Sequence, residues 1–493
     1  MDRPGVLYLW RIQKQQVCRI TSVGDREGRQ VSERRVPQVN NRNKDLTQGS
    51  ILDKVLLFAI PLALTSMLQQ LFNATDVAVV GKFASAYAMA AVGSNAPVVS
   101  LMVNSFVGLS IGANAVIARA IGAKDRNSAR RAVHTAMAIA LISGVFVAVI
   151  GNLVSRPIIG LLGVPAEVFE YSLKYLRIYF TGMPFIMLYN FEAAIFRSNG
   201  NTRTPLVCLT IGGVLNVAAN LFFVLVLGMD VDGVAIATVM SNGVSSMLLL
   251  YFLCREKSVI TVSPRRIRIY SRELGSIIRI GVPSAMQSMV FSVSNLCVQS
   301  AINSLGPAVM AASSAAFNIE IFVFFIIDAF TQTSVTFVGQ NYGAREYERC
   351  RLVVKRILIV CWCVTMAASI LVLLTMRQLL GLFTDDPQII ELGVVRVSIL
   401  MYSETLNVVL GTLTGALRGL GKSMIPAVIT FVGVCGTRIT WVFTGFKIYH
   451  SWTSLMLVFP ASWGISAVII AVMYLRTRDR MLPVGPAENT GRT

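Results

Sequence analysis

The sequence predicts an all-α integral membrane protein of about twelve transmembrane helices, arranged as two parallel-related six-helix lobes around a central cleft. Three observations carry that expectation: an apolar composition spread over the whole chain, an alternation of basic connecting segments, and an internal repeat. Of 493 residues, 54% are hydrophobic and only 14% charged, whereas soluble domains run near 25% charged. The mean hydropathy is +0.65. Such a chain is too apolar for disorder, its 37 Gly follow no strict period, and 8 Cys make no disulfide scaffold. Two His and no C-x-x-C pair argue against a zinc enzyme.

Runs of about twenty apolar residues mark the spans. They lie near 55–81, 86–118, 132–155, 175–196, 204–228, 233–254, 276–305, 308–340, 352–376, 394–417, 424–446 and 454–475. The segments between them fall into two alternating groups. The first comprises the arm through Lys54, the loops at 119–131, 197–203, 255–279, 345–356 and 418–422, and the C-terminal tail; it holds 36 of the 44 Lys and Arg. The second holds seven: Lys82, Arg156, Lys174, Arg177, Arg377, Arg396 and Lys447. Cationic loops resist translocation, so the rich group is expected in the cytoplasm with both termini, in a multi-pass protein of the cell membrane. The net charge of +19 then reports topology and acidic lipid headgroups, not a nucleic-acid partner. Residues 1–49 are polar and Arg-rich without a signal-peptide core and read as a disordered arm. The scattered cysteines read as reduced and structural.

The repeat runs at an offset of 221–223 residues. Pro61 matches Pro283, Asn73 matches Asn295, Asn95 matches Asn318, and Pro165 matches Pro387. The loop Gly122-Ala-Lys…Arg130 matches Gly343-Ala-Arg…Arg351, and Arg197-Ser-Asn-Gly200…Pro205 matches Arg418-Gly-Leu-Gly421…Pro426. Each half has six spans, so both start on the same side and are related by an axis along the membrane normal. The expected units are an arm at 1–49, a lobe at 50–256, a linker at 257–272, a lobe at 273–478 and a tail at 479–493.

Ionisable side chains in hydrocarbon cost at least about 2.5–3.5 kcal/mol each on insertion scales, so those inside spans mark candidate sites. They are Asp76, Glu192, Glu320, Asp328 and Glu404, with Arg438 as the lone base. Asp76 lies six residues before Lys82, in the outer third of the first span. Asn216 and Asn220 share a face of the fifth span, and Thr238 lies in the first turns of the sixth. These four converge at one depth. A carboxylate among amide and hydroxyl oxygens suits a proton or a hard cation; the alternative is a set of plain helix–helix hydrogen bonds. The second half differs, because Val298 stands where Asp76 does. There Glu320, Asp328, Glu404 and Arg438 are the cleft electrostatics. An Arg paired with one of these acids would be a structural lock, and an unpaired acid would attract cationic substrate. Glu192, five residues before Arg197, is expected to snorkel or to pair with it, and His134 to pack.

At this point the chain resembles the multidrug and toxic compound extrusion (MATE) transporters, most of all their bacterial branch. The similarity covers about residues 45–478. It rests on Pro61 with Asp76, the Gly122-Ala loop, Asn216-x-x-x-Asn220, Gly233-Val-Ala-Ile-Ala-Thr238, Val338-Gly-Gln-Asn-Tyr-Gly343-Ala and Ala416-Leu-Arg-Gly-Leu-Gly421. The resemblance implies alternating access and export of organic cations or drugs in exchange for inward H⁺ or Na⁺. It also implies a coupling site of Asp76, Asn216, Asn220 and Thr238, although the family pattern expects Asp at position 220. The missing carboxylate weakens a Na⁺ site and favours H⁺ through Asp76. Another branch places acidic ligands in the second lobe, where Glu404 would serve, but the seventh span offers no matching acid.

The expectation is therefore a monomeric antiporter for small lipophilic or cationic molecules, with no catalytic residues, no cofactor, and no metal beyond Na⁺ at the coupling site. The nearest rival is a lipid-linked oligosaccharide flippase. It would line its cleft with several cations for pyrophosphate, where this chain sets one intramembrane Arg against five acids. An integral-membrane enzyme lacks a catalytic constellation.

Overall fold

In a computed structural model, residues 45–483 are described, apart from 84 and 163. Twelve helical rods follow one another with short connections and no strand among the described residues. The first lobe holds α1 (Ile51–Phe83), α2 (Ala86–Gly122), α3 (Arg126–Leu161), α4 (Ala166–Thr181, continuing as Met183–Ser198), α5 (Arg203–Leu221, with a π-turn at Phe222–Val226) and α6 (Val231–Arg255). The second holds α7 (Ser271–Asn303), α8 (Pro307–Gly343), α9 (Tyr347–Gly381) and α10 (Pro387–Gly419). It ends with α11 (Met424–Ile429, a π-turn at Thr430–Gly436, then Thr437–Phe443 and Gly445–Tyr449) and α12 (Trp452–Met456 and Val458–Met481).

Nine of these rods, among the described residues, are long and apolar enough to cross a membrane. The other three are α4, which divides at Gly182 into two 16-residue pieces, and the charge-bearing α7 and α10. The helices outrun the apolar stretches that mark them. At 37 residues each, α2 and α8 are about 55 Å long at 1.5 Å per residue, against about 30 Å of hydrocarbon. Hydrophobicity ends where the bilayer does, but helix propensity and capping continue. Asp125 shows the device: its side chain accepts from the N–H groups of Asn127 and Ser128 and starts α3.

The repeat is visible in the backbone. After Gly122-Ala and Gly343-Ala, the third residue turns the chain by adopting positive φ, 57° at Lys124 and 62° at Arg345. Both turns lie at the end carrying the cationic loops, called the basic end below. The lobes meet there. A Cβ added to Gly122 would stand 1.9 Å from the Gln340 carbonyl oxygen, and one added to Gly343 would stand 2.1 Å from that of Arg119. Only glycine allows this mutual approach of α2 and α8.

Hydrogen bonds across the junction obey the same symmetry. Asn114 on α2 and Thr336 on α8, 222 residues apart, bond to each other, with Asn114 Nδ2 donating to Thr336 Oγ1 at 3.0 Å. Arg119 Nε donates to the Gly419 carbonyl at 3.0 Å, while Gln340 Nε2 donates to the Ser198 carbonyl at 2.7 Å. Arg119 and Gln340 are separated by 221 residues, as are Ser198 and Gly419. Arg197 Nη1 adds a bond to Gln332 Oε1 at 2.7 Å. Every cross-lobe hydrogen bond among the described residues lies in the basic-end half.

The arm expected over 1–49 lies outside the described residues through 44. Residues 45–49 are described, and they fold against the second lobe. Leu46 is buried; its N–H donates to Gln340 Oε1 and its carbonyl accepts from Asn341 Nδ2. It joins the core of the second lobe together with Val55 and Phe58 of α1. The linker is ordered as well. Ile260 and Val262 are buried in the first lobe, and the Ser263 N–H donates to His134 Nε2 at 3.4 Å. His134 therefore packs, as expected, and holds the linker. The tail from 484 onward lies outside the described residues.

Candidate functional site

Asp76 lies seven residues before the end of α1 remote from the basic loops, and it is buried. Two neighbouring helices bond its carboxylate. From α5, Asn220 Nδ2 donates to Oδ1 at 2.5 Å; from α6, Thr238 Oγ1 stands 3.1 Å from Oδ2. Asn216, one turn before Asn220, accepts from the same amide nitrogen at 3.4 Å. The four residues expected to converge do so. Helical geometry is the reason: spacing of four puts Asn216 and Asn220 on one stripe of α5 facing α1. Asp230 ties the loops beside the site together by accepting from the Ser85 N–H and hydroxyl.

The arrangement is that of a hydrogen-bonded carboxylate. The Asn220 amide nitrogen occupies one carboxylate oxygen, while its own Oδ1 is buried without a partner. The Thr238 hydroxyl also lies 2.9 Å from the Val234 carbonyl, and its one proton serves only one acceptor at a time. No basic side chain forms an ion pair with Asp76 among the described residues. No cluster of three or more His, Cys, Asp or Glu suited to a metal ion occurs among them either.

In the second lobe Glu320, Arg396, Glu404 and Arg438 lie within electrostatic reach of one another, with Arg396 and Arg438 over the same Phe459 ring at 5.9 and 4.5 Å, while Asp328 stands apart beside Arg197 and Arg418. Glu320 forms a buried, bidentate ion pair with Arg396, whose Nη1 also reaches Ser313. Glu404 accepts from Asn407 at 3.0 Å. Asp328 accepts from Gln332 Nε2 at 2.7 Å, and through that side chain communicates with Arg197 of the other lobe.

Three expectations are corrected here. Arg438 bonds no carboxylate among the described residues. Its Nη1 donates to Asn295, its Nε to Ser462, and the guanidinium lies over the rings of Phe459 (4.5 Å) and Phe291 (5.1 Å). Phenyl faces and neutral oxygens take the place of the expected acid. Arg396, sorted with the loops beyond the membrane, stands nine residues inside α10 and is only 5% exposed. Its distance from Pro387, the first helical residue, was the available signal. Glu192 neither reaches an interface nor meets Arg197, which turns to Gln332; it is 0% exposed and, among the described residues, its two carboxylate oxygens have no partner.

Arg438 stands 222 residues after Asn216, and Val298 the same distance after Asp76. The two lobes thus carry an acid with amides on one side and a guanidinium on the other at equivalent positions.

Comparison with known proteins gives a consistent result. The MatE family model matches residues 61–222 and 283–444, two stretches displaced by the repeat offset. The chain is 26% identical over 442 residues to "Probable multidrug resistance protein YoeA" of Bacillus subtilis, covering 87% of this chain and 94% of that protein. It is 26% identical over 462 residues to "Probable multidrug resistance protein NorM" of Thermotoga maritima, covering 88% and 96%. Among solved structures, the outward-facing conformation of a multidrug resistance MATE family transporter superposes with a TM-score of 0.82 at 22% identity, covering 90% of this chain and 99% of that one. A MOP superfamily transporter from Pyrococcus furiosus, described as having a binding pocket of reverse polarity, superposes with a TM-score of 0.81 at 21% identity, covering 89% and 98%.

Proposed function

Because the chain belongs to the MatE family, we propose that it exports small lipophilic or cationic molecules from the cell in exchange for protons that move inward through Asp76. The observation that carries this reading is a buried carboxylate bonded, among the described residues, by an amide and a hydroxyl and by no basic side chain. A fixed cation beside Asp76 would lock its charge. Neutral partners leave the carboxyl free to gain and lose a proton as solvent access changes. The amide nitrogen of Asn220 favours H⁺ over Na⁺, because a metal ion would need oxygen where that N–H group points.

The basic loops orient the molecule with that end in the cytoplasm of the cell membrane. The cross-lobe bonds then seal the cytoplasmic side, and Asp76 lies toward the outside, as an outward-facing antiporter requires when it loads its proton. Reversal of the seal would expose the opposite side, giving alternating access. The electrical driving force is bounded: one charge crossing 100 mV supplies about 2.3 kcal/mol. One-for-one exchange with a monovalent cation leaves only the pH gradient.

Purified chain in liposomes with an acidic lumen, so that protons leave as cargo enters, is expected to drive uptake of a lipophilic dye cation. An imposed Na⁺ gradient of equal size is expected to drive none. Asp76→Asn should lower the initial rate at least tenfold. A variant that transports as fast as the parent would remove Asp76 from the coupling step, and Na⁺-driven uptake would transfer the role of coupling ion to sodium.

A further inference from the structure

Glu192 is unaccounted for by the site at Asp76. It stands on the second half of α4, six residues from the cytoplasmic end of that rod, and is completely enclosed. Among the described residues, neither carboxylate oxygen has a hydrogen-bond partner. Among the described residues, the titratable groups it influences include a phenol and two thiols: Tyr189 on its own helix, Cys208 on α5 and Cys254 on α6. No Lys, Arg or His forms an ion pair with it among the described residues. A membrane protein does not keep an ionised carboxylate in such a place, so a proton accompanies the side chain in this conformation.

The second observation is a polar edge on α6, which packs along the second half of α4. It begins at Thr238, the residue that bonds Asp76, and continues inward through Ser241, Asn242, Ser245 and Ser246; Ser241, Asn242 and Ser245 donate to carbonyls of their own helix, and Ser245 lies against Gly212 of α5. Eight residues of helix from Thr238 to Ser246 cover about 12 Å, toward the depth of Glu192. The Ser246 hydroxyl at the inner end is buried and has no partner. An enclosed acid and an enclosed hydroxyl, both unsatisfied, stand on packed helices where apolar residues would serve a purely structural purpose better.

We propose that Glu192 is a second proton-carrying acid of the first lobe, the inward station of a route that begins at Asp76. When the cytoplasmic side opens, Glu192 releases its proton to cytoplasmic water. The resulting carboxylate then accepts a proton from Asp76 through water ordered along the edge from Thr238 to Ser246: one O–H bond breaks at Asp76 and one forms at Glu192. This inference rests on the proton-coupled reading above.

The test has a spectroscopic and a functional arm, both on the full chain. Infrared spectra of the lipid-reconstituted parent should show the carbonyl band of an enclosed neutral carboxylic acid. Glu192→Gln should remove it, and Asp76→Asn should leave it. In liposomes, Glu192→Gln should lower pH-gradient-driven dye uptake at least tenfold with a thermal midpoint within a few degrees of the parent, and Glu192→Asp should restore most of the rate. The proposal is overturned if the band survives Glu192→Gln, if that variant is driven at the parental rate, or if Glu192→Asp is as slow as Glu192→Gln. A parent chain that takes up no dye under a pH gradient would instead overturn the proton-coupled reading on which the inference rests.

Discussion

Removing the Arg119 side chain should loosen the seal between the lobes at the basic end. Arg119 donates to the Gly419 carbonyl and lies over the Tyr342 ring at 5.1 Å, both on the opposite lobe. A hydrogen bond involving a charged group contributes about 1.5–3 kcal/mol, and a partly exposed cation–π contact about 0.5–1 kcal/mol. Some of this returns as hydration of the freed carbonyl, so we take a net loss of about 2 kcal/mol for Arg119→Ala. At about 1.4 kcal/mol per factor of ten, the population with parted lobes rises about 30-fold. Hydrogen exchange followed by mass spectrometry reads that population directly when opening is in fast equilibrium. Peptides covering 332–343 and 412–421, on the lobe that keeps its own sequence, should exchange about 30-fold faster. The reasoning fails if acceleration is confined to α2 around position 119, because then the contacts do not couple the lobes. Arg119→Lys should sit between parent and Ala, since the ammonium keeps the charge but lacks the planar fork.

Two further outcomes can be checked by thermal unfolding. Glu320→Gln should cost about 3–5 kcal/mol, because it strands Arg396 as a buried, uncompensated charge; replacing both residues of the pair with leucine should recover most of the loss. Asp125→Ala should cost about 1 kcal/mol through loss of the α3 cap, and this cost should depend on pH. The Ser128 backbone N–H holds the Asp125 carboxyl below its ordinary value of 3.8. The lower folded value means that the cap's stabilisation is complete above 3.8 and disappears as pH falls through the folded value. Parent and variant midpoints should therefore converge in acid.

What could be read from the chain follows from which interactions are periodic. Spans, lobes and the cluster of Asp76, Asn216, Asn220 and Thr238 were legible because helical spacing and depth counting place residues along a rod and around it. Partner choice between rods was not. Glu320 met Arg396 instead of Arg438 because three helices set the distances, and no spacing within one helix encodes that. Arg396 escapes the sequence for a simpler reason: apolar stretches end before their helices do, so a charge near the end of a run reads as part of the loop. Glu192 shows the reverse effect. Nearness in sequence to Arg197 suggested a pair, but Arg197 is drawn across the junction to Gln332.

Among the residues that join the lobes are matched couples, Asn114 with Thr336, Arg119 with Gln340, and Gly122 with Gly343, whereas the pockets are mismatched, Asp76 against Val298 and Asn216 against Arg438. In the proposed alternating-access cycle, a duplicated junction rocks evenly while the two halves carry unlike chemistry, and what is moved is separable from how the movement occurs. Exchanges confined to the pockets should retune selectivity without disturbing the rocking, and damage at the junction should impair every cargo alike.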